Sequence, residues 1–183
     1  MNEKEIERLQ RQSDNVYQNL TGTIDHVETE KGALENYTRR GFAEINGVQH
    51  DPSQKEKYET FEFDDWSQVE RVTEYLDSAL AKFNLESDIT VFRGDEPAHF
   101  KGWDVGDVKP YPAFMSTTVL EDKAEEFASG LKIEIFVPKG ARGMYIGTNS
   151  AVHKEEAEFL LGRGLNFRVL ERTKDTLKLE VLL

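Results

Sequence analysis

The chain has no cysteine among its 183 residues, which excludes disulfides, thiolate catalysis and cysteine-ligated zinc. Its four histidines, His26, His50, His99 and His153, share no i, i+4 ligand spacing, so no metal site is expected. Apolar runs long enough to cross a bilayer are missing, and the opening Met1-Asn2-Glu3-Lys4-Glu5 lacks the composition of a signal peptide. Neither internal repeats nor low-complexity tracts occur. Basic charge is also short: the net charge is -12, with 20 acidic and 10 basic side chains in residues 1–90 and 15 and 13 in residues 91–183. Nucleic-acid binders draw most of their affinity from phosphate neutralisation by a basic face. A polyanionic partner is therefore disfavoured, although a small neutral pocket could still take a nucleotide.

Hydrophobic residues make up 38% of the chain, and eleven phenylalanines are available to fill a core. The length suits one domain with a helical arm. Residues 3–20 carry a thin apolar stripe (Ile6, Leu9, Val16, Leu20) that Gly22 ends. This predicts a helical arm over residues 1–30, or a connection to further sequence, ahead of a domain over residues 31–183. Residues 31–47 have helical spacing broken at Gly41, and residues 50–62 read as a surface loop. Asp65-Trp66-Ser67-Gln68 has the form of a capping box. It opens the clearest helix, whose stripe is Val69, Val72, Leu76, Ala79, Leu80 and Phe83. From Ile89 the period changes to two. Strands are predicted at 89–93, 113–118, 132–137 and 144–146, with a short helix over 121–129 whose inward residues would be Ala124, Phe127 and Ala128. Residues 102–112 and 147–155 read as loops, and a closing hairpin spans 167–182. Helices first and strands after give an α+β layout with a mostly antiparallel, sandwich-like β half.

Three elements end or begin in polar residues. Arg93 closes one strand, Ser116-Thr117-Thr118 closes another, and Glu156-Ala157-Glu158 opens a third that runs on through Phe159, Leu160 and Leu161. In an extended segment, residues two apart share a face, so Glu156 and Glu158 are expected side by side. Two carboxylates held close raise each other's pKa. Taken singly, each element has a plain structural reading: a surface ion pair, an N-cap, a solvated strand face.

In this order, Val91-Phe92-Arg93-Gly94, Phe114-Met115-Ser116-Thr117-Thr118 and Glu156-Ala157-Glu158-Phe159 resemble the mono-ADP-ribosyltransferases of the arginine–serine–glutamate class. Among these, the likeness is to the enzymatic components of clostridial binary toxins and to modules attached to phage minor head proteins. Leu34-x-x-Tyr37-Thr38-x-x-x-Phe42-x-x-Ile45-Asn46 resembles the helix that precedes the family's nucleotide cleft. The resemblance covers residues 30 to 183 and implies the ADP-ribosyltransferase fold, N-terminal helices followed by a two-sheet β core around an NAD cleft. It implies NAD as co-substrate, no metal, and a protein acceptor. It also implies a role as an effector delivered into a target cell or as a phage-borne modifier of host proteins.

By the same resemblance, Glu158 would stabilise the oxocarbenium-like ribose as the nicotinamide bond breaks, Ser116 would hold Glu158, and Arg93 would grip phosphate. Glu156 would orient and deprotonate the acceptor, and an acid at that place points to arginine. Gly94, Thr117, Tyr37 and Asn46 would line the nucleotide cleft. Phe127 fits equally as an aromatic against nicotinamide or as the core residue of its helix, and Phe42 reads as packing. Three departures stand out. Gly94 replaces a second arginine, and no basic residue follows Phe127 unless Lys132 reaches in. His153 stands where an aromatic normally precedes Glu156 in the acceptor-recognition loop. An NAD glycohydrolase, or a phage-head module that keeps the fold without turnover, are the competing readings.

Overall fold

Asn2 starts the first helix, α1 (Glu3–Gln18), with a reciprocal capping box: its side chain accepts from the Glu5 backbone N–H while the Glu5 carboxylate accepts from its own. In this computed structural model, which describes residues 1–183, Leu9 and Ser13 of α1 are buried against the body of the protein. The arm is also pinned by polar contacts far along the chain. Gln10 accepts from the Thr148 backbone at 3.0 Å, and Asn149 donates to both Ser13 and Asp14 at 3.0 Å.

The predicted helical pair over 31–47 is α2 (Glu30–Asn36) and α3 (Phe42–His50), joined by a π-helical turn over Tyr37–Gly41. The extra residue of a π turn re-aims side chains, and such turns favour functional sites. Gly41 leaves room there for Asn36, whose Oδ1 would lie 1.8 Å from a Cβ and would have to turn away from any larger residue. A one-turn helix, α4 (Gln54–Lys57), interrupts the span expected to be loop.

The strongest sequence prediction holds. Helix α5 (Trp66–Ala81) begins at Asp65, whose side chain accepts from Gln68 N, and Val69, Val72, Leu76, Ala79 and Leu80 are buried. The cap differs in one detail: Gln68 Oε1 reaches back to the Asp64 N–H, one residue before the cap, at 2.8 Å. At the foot of α2, the buried Glu30 carboxylate accepts from Thr21 N, Ser78 Oγ and Lys82 Nζ. Those partners outweigh its desolvation and hold its pKa below the usual glutamate value.

Eight strands follow: β1 (Ile89–Asp95), β2 (Val108–Tyr111), β3 (Met115–Thr118), β4 (Leu131–Val137), β5 (Gly143–Tyr145), β6 (Glu158–Leu161), β7 (Leu165–Arg172) and β8 (Thr176–Leu182), with α6 (Glu121–Phe127) between β3 and β4. Their order is β2-β7-β8-β4-β1-β3-β6-β5, and only β4 with β8 is parallel. The expected two sheets are therefore one hydrogen-bonded sheet. It narrows to a single residue pair, Phe92 with Thr118, where β1 meets β3. The sheet opens beside that joint, and the motif residues collect there. Strand β2 lies in the span predicted as loop. It is an edge strand on β7, where Pro110 opposite Asn166 costs no interior ladder bond. No helix is long and apolar enough to cross a membrane.

Candidate active site

Antiparallel pairing sets the first contact. Strand β3 runs against β6 with Thr118 opposite Glu158 and Ser116 opposite Leu160. This register brings the Ser116 hydroxyl to Glu158, to which it donates a short hydrogen bond. Glu158 is only 7% exposed. Burial raises its pKa above the usual glutamate value, the Ser116 hydrogen bond opposes that rise, and the Glu156 charge adds to it. The neighbouring hydroxyls are committed to backbone. Thr117 Oγ1 donates to the Phe159 carbonyl and Thr118 Oγ1 to the Glu156 carbonyl, both at 2.6 Å.

Glu156 and Glu158 do not share a strand face. Glu156 ends a 3₁₀ turn (Lys154–Glu156), Ala157 adopts the left-handed conformation (φ 48°, ψ 47°), and the strand begins only at Glu158. A non-glycine residue held there costs about 1 kcal/mol, offset by the Val119 N–H donating to the Ala157 carbonyl and by the Thr118 bond. The turn nonetheless leaves both carboxylates on the wall of one cavity. Their reach comes from a kinked entry, not from the pleat. His153 Nδ1 lies 3.2 Å from Glu156 Oε1. Partial burial raises the Glu156 pKa, and the His153 charge opposes the rise.

Opposite the glutamates, Arg93 donates from Nε to Asp95 Oδ2 at 2.7 Å and from Nη1 to the Ser116 carbonyl at 2.8 Å. Arg93, Ser116 and Glu158 are thus one connected unit across the narrow joint between β1 and β3. Gly94 is next, and α6 crosses it closely. A Cβ at Gly94 would meet Ala124 O and Ala128 N at 2.4 Å, so no side chain, least of all a second arginine, fits without moving the helix.

The cavity is about 650 Å³ and continues into a smaller lobe of about 200 Å³ floored by Gly94 and walled by Thr117, Thr118 and Ala124. Arg93, Ser116, Phe127, Glu156 and Glu158 line both. The size lies within the range that takes small molecules and cofactors. Phe127, one of the predicted inward residues of α6, is instead 52% exposed and faces the cleft; of those three residues only Ala124 is buried. Phe42 is likewise not core: it is 48% exposed at the cavity wall. From the π turn, Tyr37 packs edge-on against Phe114, with ring centres 5.6 Å apart, and its hydroxyl accepts from Asn46 Nδ2 at 2.9 Å. Asn46 Oδ1 is buried without a partner in the protein. Lys132 does not reach in; it pairs with Glu121 and Glu125 on α6.

The structure thus brings Tyr37, Asn46, Arg93, Ser116, Phe127, His153, Glu156 and Glu158 to one cavity, with Gly94 and Thr117 at its smaller lobe. It adds residues the sequence reading missed: Asp95, His99, His50 and Tyr111. Asp95 and His99 stand at i, i+4 across a turn opened by Pro97, a spacing that could have been noticed.

Residues 7–181 match the family described as ADP-ribosyltransferase exoenzyme. Over 144 residues the chain is 33% identical to the NAD(+)–arginine ADP-ribosyltransferase EFV of Enterococcus faecalis (strain ATCC 700802 / V583), covering 75% of this chain and 28% of that protein. The chain thus spans little more than a quarter of that relative's length. Among solved structures, C3stau2 from S. aureus with NAD superposes with a TM-score of 0.76 at 14% identity, covering 100% of this chain and 96% of that one. The ADP-ribosylating toxin BECa of a C. perfringens binary enterotoxin, with NADH, gives 0.75 at 18% identity, covering 97% and 48%.

Proposed function

The chain belongs to the ADP-ribosyltransferase exoenzyme family, and from that premise we propose that it transfers ADP-ribose from NAD to an arginine of a protein acceptor, as a toxin-like effector. The observation that carries this reading is the Arg93–Ser116–Glu158 unit facing Glu156 across one cavity. NAD would lie along the cleft with its diphosphate toward Arg93 and its nicotinamide toward Phe127 and the smaller lobe. The Asn46 carbonyl, buried without a partner, would accept from the ligand.

In the reaction the bond from ribose C1′ to nicotinamide breaks with its electron pair leaving on nicotinamide. Positive charge then builds on the sugar. A carboxylate buried beside it is worth more than one in water, because little solvent screens it. Glu158 fills that role, and the Ser116 donor keeps it charged against the cost of burial. Glu156 at the mouth accepts a proton from the incoming guanidinium as its nitrogen bonds to C1′. A guanidinium is too basic to attack unless a base is in place. The relative from E. faecalis carries arginine in its name, which supports the same acceptor here. His153, in contact with Glu156, and the Ser150–Glu155 loop would meet the acceptor protein. Residues 1–30 would act as an arm that braces the Gly147–Asn149 turn leading into this loop, through Gln10, Ser13 and Asp14.

The test is transfer of label from NAD to proteins of a cell lysate by wild type, Glu156→Gln and Glu158→Gln. The proposal expects labelled protein only with wild type. It fails if Glu158→Gln labels as well as wild type does.

A further inference from the structure

A dianionic diphosphate entering this cavity meets an adverse charge balance. Asp95, Glu156 and Glu158 line it against a single guanidinium, Arg93, and no lysine is present on its wall. Arg93 has already spent Nε on Asp95 and one Nη1 hydrogen on the Ser116 carbonyl. The nearest lysine in sequence after Phe127, Lys132, is held by two glutamates on α6. A second cation at the Arg93 end has to come from elsewhere.

We propose that His99 is that cation, an anion-binding residue that Asp95 presents to the diphosphate beside Arg93. Asp95 is buried, 7% exposed at its side chain, and divides its two oxygens between the pair. Oδ2 accepts from Arg93 Nε at 2.7 Å, while Oδ1 takes His99 Nδ1 at 2.6 Å and the Glu96 N–H at 2.8 Å. With Nδ1 engaged, Nε2 is the free nitrogen of an imidazole that lines the cavity and is 63% exposed. A doubly protonated ring donates from that nitrogen, and a charged donor on phosphate makes one of the stronger hydrogen bonds available. The mounting is rigid. His99 sits in a 3₁₀ turn (Pro97–Phe100) with proline at its start and the fully buried Phe100 at its end, packed 5.0 Å from the Trp103 ring.

The charged and titratable groups that share this part of the cavity wall with His99 are Asp95 and Arg93 on β1, His50 on α3 and Tyr111 on β2. His50, whose ring lies 4.9 Å from Tyr111, is kept toward its neutral form by burial and by repulsion from Arg93 and His99. It does not substitute for His99. The inference rests on the cleft being an NAD site, so binding and turnover are measured separately.

Calorimetric affinity for ADP-ribose is measured at pH 6 for wild type, His99→Gln and His99→Lys, with NAD turnover in parallel. At pH 6, His99→Gln is expected to bind about tenfold more weakly, and His99→Lys to recover most of the loss. In turnover, His99→Gln raises the KM for NAD by about the same factor as it weakens ADP-ribose binding. Equal affinity of His99→Gln and wild type at pH 6 overturns the inference, and turnover by wild type would leave the transferase reading standing. No ADP-ribose binding by wild type also overturns it. Binding that needs His99, in a protein with no turnover, upholds the inference and sinks the transferase reading instead.

Discussion

Replacing Ser116 with alanine tests the most specific geometric claim about the site. The Ser116 hydroxyl is the hydrogen-bond donor to Glu158, and Glu158 is 7% exposed. Deleting a donor to a buried charge costs about 1.5–3 kcal/mol. If that energy appears in the transition state, kcat/KM for NAD falls about 10- to 150-fold at neutral pH. The loss should not be uniform in pH. In the proposed mechanism Glu158 acts as a carboxylate, so activity falls as pH drops through its pKa, which burial already raises and the serine partly restores. Without the serine the pKa rises further, and the acid limb of the kcat/KM profile moves to higher pH. Nicotinamide release with agmatine as acceptor, followed from pH 5 to 9, measures both effects. A rate that falls equally at every pH with the limb in place would refute the reasoning, because Ser116 would then align the carboxylate without sustaining its charge.

Other perturbations give separate readings. Glu158→Gln abolishes turnover yet raises the thermal midpoint at pH 7. A glutamate whose folded-state pKa is raised is least costly while protonated, below its unfolded value, and destabilises as pH rises through the folded value. That gain is worth about 2–4 °C per kcal/mol and disappears near pH 4. Gly94→Ala drives a methyl into the α6 backbone at 2.4 Å and costs about 1–3 kcal/mol, read as a lower denaturant midpoint. Lys82→Met leaves the buried Glu30 carboxylate with only Ser78 and Thr21 as partners and costs about 1–3 kcal/mol at pH 7. Because Glu30 has a lowered pKa, its pairing stabilises above the ordinary glutamate value and is lost as pH falls through the folded one. The two proteins should therefore converge in acid.

Much of this was legible before the structure, and for physical reasons. Helix α5 announces itself through a cap at Asp65 and a 3.6-residue stripe, and β4 through the alternation from Lys132 to Val137, matched by its burial. The motif residues were readable as a set through their resemblance to one family, and the fold brings them to one cavity. The entry to the glutamates was not, because nothing in alanine signals a left-handed residue at 157. The pleat argument gave the right neighbours for the wrong reason. Strand β2 was hidden by Pro110 and polar neighbours that suit an edge. The π turn at Tyr37–Gly41 looks like ordinary helix punctuation until Asn36 is seen pressed against Gly41. Phe127 stayed open between core and cleft because helical spacing tells which residues share a face, not whether that face meets protein or a cleft.

The division of labour between the two glutamates is the centre of the account, and one partition ratio tests it. Purified protein is given NAD and agmatine, and ADP-ribosyl-agmatine is compared with free ADP-ribose for wild type and Glu156→Gln. The account predicts that wild type favours the agmatine product, while Glu156→Gln still cleaves NAD but delivers the ribose to water. An unchanged ratio in Glu156→Gln would contradict it.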